Sequence, residues 1–312
     1  MPLVTFTWHL RQNRRIVAES VQDQREWTVM TRAVRRTRRS RRCRQSWWSS
    51  RTLRAVGVGA AALLALSACG SSDSGSSTTS GPSGSEQLSG EVTVFAAASL
   101  RESFTALGER FEKEHPGTKV TFSFGGSDAL AAGITGGAPA DVFASASPRT
   151  MAVVTDAGDA SGTPRTFVRN QLEIATLPGN PDRISSLEDL TGSGLKVVLC
   201  DEAVPCGAAT KKALDASGLK LTPVSYEEDV KSALNKVVLK EADAAVVYRT
   251  DVRAAGEKVE GVEFPESADA INDYPIALLK ESRNTDTAKA FIALVRSAEG
   301  QKVLTEAGFL QP

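Results

Sequence analysis

Histidine is nearly absent from this chain: His9 and His115 are the only two in 312 residues, and His115 precedes Pro116 at the end of an apolar-periodic stretch. That position suits a solvated helix end, so a Ser–His–acid triad and a histidine-rich metal site are both disfavoured. Cysteine is scarce as well, the full set being Cys43, Cys69, Cys200 and Cys206. No Walker loop is present and no Gly-x-Gly-x-x-Gly follows a strand, which removes the common phosphate cradles of nucleotide enzymes. The apolar run Ala55 to Leu66 falls short of the roughly 20 residues a permanent membrane span needs. The carboxylates scatter without a pair assignable to one site and read as solvated charge. With no nucleophile–base set, the reading is of a non-enzyme without a cofactor.

What is present divides unevenly. Through residue 54 there are 14 arginines against three acids (Glu19, Asp23, Glu26), a charge of +11. The whole chain holds 37 basic and 37 acidic side chains, so residues 55–312 carry 23 against 34 and are net −11. An acidic body argues against nucleic acid or an anionic lipid surface as its partner. The Arg-dense stretch Arg35 to Arg42 has an RNA-binding arm as one reading. A simpler one is translation starting downstream, with Met30 one candidate. No apolar residues follow the Arg pairs where a twin-arginine export signal would want them. Arg51 and Arg54, the run Ala55–Leu66, and Leu66-Ser-Ala-Cys69 form the three parts of a lipoprotein signal peptide, with Cys69 as the lipidated residue. The alternative, a short buried helix ending in Cys, is weakened by Gly57 and Gly59. Residues 1–69 are therefore expected to be leader and signal, and the remainder to be exported and anchored to the outer face of the cell membrane.

Residues 70–90 are Ser/Gly-rich and hold almost nothing to bury, so a flexible tether is expected, with a reach of roughly 25 Å. The body after it alternates strand and helix patterns. Strands are expected at Glu91–Ala96, Lys119–Phe124, Asp141–Ala144, Lys196–Leu199, Val224–Tyr226 and Ala244–Tyr248. Leu100, Phe104, Leu107 and Phe111 recur at helical spacing, and further helices are expected near Asp128, after Ser147-Pro148, and at Gly207–Ser217, Val230–Glu241 and Thr250–Ala254. This predicts an α/β fold of two lobes, each a mainly parallel sheet flanked by helices. The lobes are expected at 91–170 with 274–312, and at 171–273. Gln171–Thr176 and Asp273–Leu279 read as paired crossover strands or as ordinary core strands.

Open α/β sheets bind ligands at the carboxyl ends of their strands. Ser99-Leu-Arg-Glu102 matches a capping box there, and Ser127 after Gly125-Gly126 repeats the pattern. Each serine reads either as a helix cap worth about 1 kcal/mol or as a donor to an anion at a helix N-terminus. Cys200 and Cys206 are an even pair in a chain read as exported, which favours a disulfide over a catalytic thiol and is worth about 2 kcal/mol.

Val92-Thr-Val-Phe-Ala-Ala-Ala-Ser-Leu100, Gly137-Ala-Pro-Ala-Asp-Val-Phe143, Glu228-Asp-Val230 and Ala245-Val-Val-Tyr248 together resemble the molybdate-binding proteins of bacterial ABC importers, over nearly all of residues 91–312. The resemblance implies a two-lobed type II periplasmic-binding-protein fold closing on a tetrahedral oxyanion. It implies that Ser99 and Ser127 bind molybdate from the first lobe, Cys206 and Val230 through amides from the second, and Tyr248 through its hydroxyl. Molybdenum would then be held as the oxyanion, without direct metal ligands. Two departures stand out: Cys206 where a small residue such as Ala is usual, and Asp128, whose carboxylate must point away from the anion. The partners implied are a permease subunit and through it an ATPase, with the receptor a monomer. Tungstate, almost the same size, is expected to bind too; sulfate is the rival ligand, and a ligand sensor without transport the rival role.

Overall fold

The computed structural model describes residues 88–312. The leader, the apolar run, Cys69 and most of the Ser/Gly stretch lie outside the described residues. The described chain runs β1 (Gly90–Ala97), α1 (Arg101–Glu114), β2 (Thr118–Gly125), α2 (Ser127–Thr135), β3 (Val142–Ala144), α3 (Pro148–Asp156), β4 (Ala160–Asn170) and β5 (Leu172–Thr176). It continues through β6 (Val197–Cys200), α4 (Pro205–Ser217), β7 (Ser225–Glu227), α5 (Val230–Val238), β8 (Ala244–Tyr248), α6 (Arg249–Ala255) and β9 (Glu260–Val262). It ends with β10 (Asn272–Leu279), α7 (Thr285–Arg296) and α8 (Ala298–Glu306). Among these residues no helix is long and apolar enough to cross a membrane.

Two five-stranded sheets form, ordered β2-β1-β3-β10-β4 and β7-β6-β8-β5-β9. In the first, β1 pairs β2 and β3 in parallel, while β10 runs antiparallel to β3 and β4. The second repeats the plan, with β6 parallel to β7 and β8, and β5 antiparallel to β8 and β9. The sheets are thus mixed, which corrects the expectation of mainly parallel ones. Nor do the two crossover segments pair with each other: β5 lies in one sheet and β10 in the other. Each enters its sheet as the reversed strand beside the parallel trio. The first sheet takes β10 from Asn272, paired with Asn170. Strand β4 went unseen in the sequence because Pro164 interrupts it and its outer half is exposed. An edge position with register shifts tolerates that proline.

The helical spacing on α1 does what it predicts. Phe104, Leu107 and Phe111 are fully buried, and Phe291 of α7 packs edge-on against Phe104 and Phe111, with ring centroids 6.0 and 5.7 Å away. Such aromatic pairs add about 0.5–1.5 kcal/mol each beyond the area they bury. The second lobe has its own core, with Val197, Val198, Val246 and Val247 of the sheet against Ala233 and Val237 of α5 and Leu187 and Leu190 of a preceding turn.

Polar contacts join the lobes. Lys231 on α5 reaches Glu102 on α1 at 2.8 Å and Asp251 on α6 at 3.0 Å, and Arg149 on α3 donates to Ala203 O at 2.6 Å. Gly126 comes so close to the other lobe that a Cβ there would stand 2.6 Å from Glu228 O. Asp251 has no exposed surface. Burial pushes its carboxyl up to about 6, against the pull of Lys231 and with a smaller push from Glu102. Lys231 is raised, because Asp251 and Glu102 together outweigh its own burial.

The sign for Asp251 follows from linkage. The folded chain holds this proton more tightly than the unfolded chain between its ordinary value of 3.8 and about 6. Its contribution to stability is therefore fullest at low pH and is lost as the pH rises through 6. Asp251→Asn cannot titrate. The melting temperature of the parent relative to this variant should rise when the buffer is taken from about pH 7.5 to about pH 5; a constant difference would show that Asp251 titrates as an ordinary carboxylate.

Candidate functional site

Three helices begin at the facing rims of the two lobes: α2 from the first, α4 and α5 from the second. Helix geometry leaves the first amides of each without an intrahelical acceptor, and the aligned peptide dipoles make that end partially positive. Between them lies a cleft of about 20 Å³, lined by Ser99, Ser127, Cys206, Val230 and Tyr248 among others. All five residues singled out in the sequence thus meet in one place. A cleft that small suits one compact ion and not an extended ligand.

Ser99 does not cap α1. A 3-10 turn, Ala98–Leu100, intervenes after β1, the helix starts at Arg101, and no side chain caps it. The Ser99 hydroxyl instead shares a 2.8 Å hydrogen bond with the hydroxyl of Tyr274, and Glu102 turns to Lys231. The capping box is therefore absent, displaced by the extra turn. Ser127 is likewise the first residue of α2 and not its cap, a position held by Gly126. Its Oγ accepts from Ala146 N at 3.0 Å, which leaves its own proton for another acceptor.

On the second lobe, Cys206 is the second residue of α4 and is bridged to Cys200, with Cα atoms 5.8 Å apart. The bridge joins the end of β6 to the start of α4, so the Asp201–Pro205 loop is closed at its base. Gly207 follows, and any Cβ there would overlap the Asp201 carbonyl. Val230 opens α5 behind Asp229, whose Oδ1 accepts from Lys231 N at 2.7 Å and Ser232 N at 2.9 Å. This cleft-lining carboxylate is spent on the helix and leaves the Val230 amide uncapped. Tyr248 ends β8 and is buried, and burial raises its phenol well above the ordinary value, so it stays protonated. Asp128 is not part of the lining and lies beside Gly126.

The sequence reading missed the polar groups behind this rim. Asn170 donates to Thr250 Oγ1 at 2.8 Å and to the Tyr274 hydroxyl at 3.3 Å, and Asn272 donates to the Tyr248 hydroxyl at 2.8 Å. An asparagine flanking a strand reads as a turn residue, so no local pattern separates these two from the rest. No cluster of His, Cys, Asp and Glu that could hold a metal occurs among the described residues. The arrangement as a whole offers neutral donors around a small cleft. Chemically, it can bind an anion.

Comparison with known proteins agrees with this geometry. The molybdate-binding protein ModA of Mycobacterium tuberculosis (strain H37Rv) is 44% identical over 255 residues, 82% of this chain and 96% of that protein. The protein of the same name from Escherichia coli K12 is 34% identical over 235 residues, 70% of this chain and 89% of its own. In fold, the periplasmic molybdate-binding protein of Azotobacter vinelandii superposes with a TM-score of 0.63 at 21% identity, covering 71% of this chain and 99% of that one. The family described as bacterial extracellular solute-binding protein matches residues 92–310, and the chain belongs to that family.

Proposed function

We propose that this protein captures molybdate, and tungstate with it, in the cleft between its lobes, and delivers the ion to an ABC permease driven by its ATPase. It does so as a monomer tethered to the outer face of the membrane through lipidated Cys69. The observation that carries the reading is the cleft of about 20 Å³ rimmed by two serine hydroxyls, a tyrosine hydroxyl and the starts of three helices, with Asp229 turned onto its own helix. A desolvated dianion is stable only when its oxygens are met by donors, and fixed amides and hydroxyls meet them without a buried cation. Neutral donors also permit release, which transport requires. A protonated oxyanion such as phosphate brings a donor that faces only donors and is rejected as an unpaired polar group. The molybdate binding stated in the names of relatives at 44% and 34% identity supports this ligand over sulfate.

Calorimetric titration of the purified chain with molybdate, tungstate, sulfate and phosphate tests the reading: the first two should bind tightly, sulfate weakly and phosphate not measurably. Tightest binding of sulfate would replace the ligand. Ser127→Ala removes a hydroxyl donor to a charged acceptor and should raise the molybdate dissociation constant about ten- to hundredfold. An affinity within about twofold of the parent would remove Ser127 from the site.

The anchor has its own test. Leu66-Ser-Ala-Cys69 stands after an apolar run and before the Ser/Gly stretch. Cys69→Ala should move the protein from the membrane fraction to the soluble fraction or leave it unprocessed. A variant still processed and membrane-bound would refute lipidation at Cys69.

A further inference from the structure

Asn272, the first residue of β10, sits where the chain returns to the first lobe. Its side-chain nitrogen donates to the Tyr248 hydroxyl at 2.8 Å, to Ala146 O at 2.9 Å and to Pro205 O at 3.4 Å. Two of these partners are backbone carbonyls, which only accept, so the atom facing them is the amino end of the side chain and not its oxygen. An amide nitrogen accepts no hydrogen bond. In the contact with Tyr248 the phenol oxygen is therefore the acceptor, and the phenol proton must go elsewhere. The neighbouring hydroxyl, that of Tyr274, is already engaged by Ser99 at 2.8 Å and Asn170 at 3.3 Å. The Tyr248 proton therefore has two places to go, the second lone pair of the Tyr274 oxygen and the cleft that Tyr248 lines, and an ion in the cleft offers the charged acceptor of the two.

We propose that Asn272 is a positioning residue that fixes Tyr248 as a hydrogen-bond donor to the bound ion, and so tunes the cleft to ions that offer only acceptors. This deepens the proposed function and rests on it. Without Asn272 the phenol is free to turn, and a turned phenol presents its oxygen to the cleft. An acceptor there repels a fully deprotonated oxyanion and welcomes a protonated one. Asn272 also touches Ala146 beside Ser127 and Pro205 beside Cys206, one on each lobe. A plain tie between the lobes is thus the competing role, and the experiment has to separate the two.

A double-mutant cycle does so, read by titrating molybdate into the purified full-length chain. Tyr248→Phe removes the hydroxyl and leaves Asn272 nothing to orient. Asn272→Ala should weaken binding about tenfold in the parent, and by less than about twofold in the Tyr248→Phe background. It should also bring phosphate, which the parent does not measurably bind, into the measurable range, which loss of a tie between lobes would not do. A loss of equal size in both backgrounds, or no loss in the parent, would overturn the proposal. Circular dichroism at the titration temperature checks that each variant is folded. If Asn272→Ala is not, Asn272→Ser, too short to reach the phenol, takes its place with the same outcomes. A parent that binds sulfate in place of molybdate changes the ligand, and the cycle is then read with sulfate. A parent that binds none of molybdate, tungstate or sulfate refutes the reading of the cleft and this proposal with it, whereas a binding parent with additive mutants refutes the proposal alone.

Discussion

The convergence of helix N-termini on one small cleft is the constraint that the rest of this structure serves. Each such end carries amides without acceptors and about half a positive charge. Bringing three together is unfavourable unless something negative stands between them, and the fold spends much of its local chemistry on holding them there. The bridge between Cys200 and Cys206 closes the loop in front of α4. Asp229 caps the second and third amides of α5 while leaving the first. Gly126 and Gly207 let backbone approach backbone where a side chain would intrude.

The lobed plan follows from the way each sheet is built. A parallel trio of strands turns its carboxyl ends, and hence the starts of the following helices, toward one rim. The reversed strand beside each trio then carries the chain toward the other lobe or back from it. The rim and the crossings therefore lie together: Asn272 is within reach of the Tyr248 hydroxyl that lines the cleft, and Asn170 of the Tyr274 hydroxyl behind it.

Much of this was legible in the sequence, for physical reasons that also explain the failures. The phenylalanines of α1 and the valines of β8 announce their elements because burial and periodicity coincide in them. Ser99 and Ser127 stand out by their place at strand ends before helix starts, Cys206, Val230 and Tyr248 by a resemblance in short motifs, and the structure gathers all five at one cleft. The direction of each hydroxyl was not legible, since it depends on partners far away in sequence, such as Tyr274 for Ser99 at a separation of 175 residues. The capping box at Ser99 was misread because a 3-10 turn and a helix start share the same residue preferences. Strand β4 was missed because an edge strand with a proline and little buried surface carries neither of the signals a strand gives.

The contact between Lys231 and Glu102 says something about how such a receptor parts from its cargo. Glu102 is about half exposed, at 49%, while Lys231 keeps a second, buried partner in Asp251 within its own lobe. An ion pair that is open to water on one side, and whose lysine stays paired, costs less to break than a fully buried one. When the lobes separate, Lys231 is not stranded, because its other carboxylate travels with it. This contact can thus be undone without leaving a buried charge unpaired. With an ion held as proposed, its bonds to both lobes would add to this contact, and a membrane partner that senses closure would be sensing occupancy.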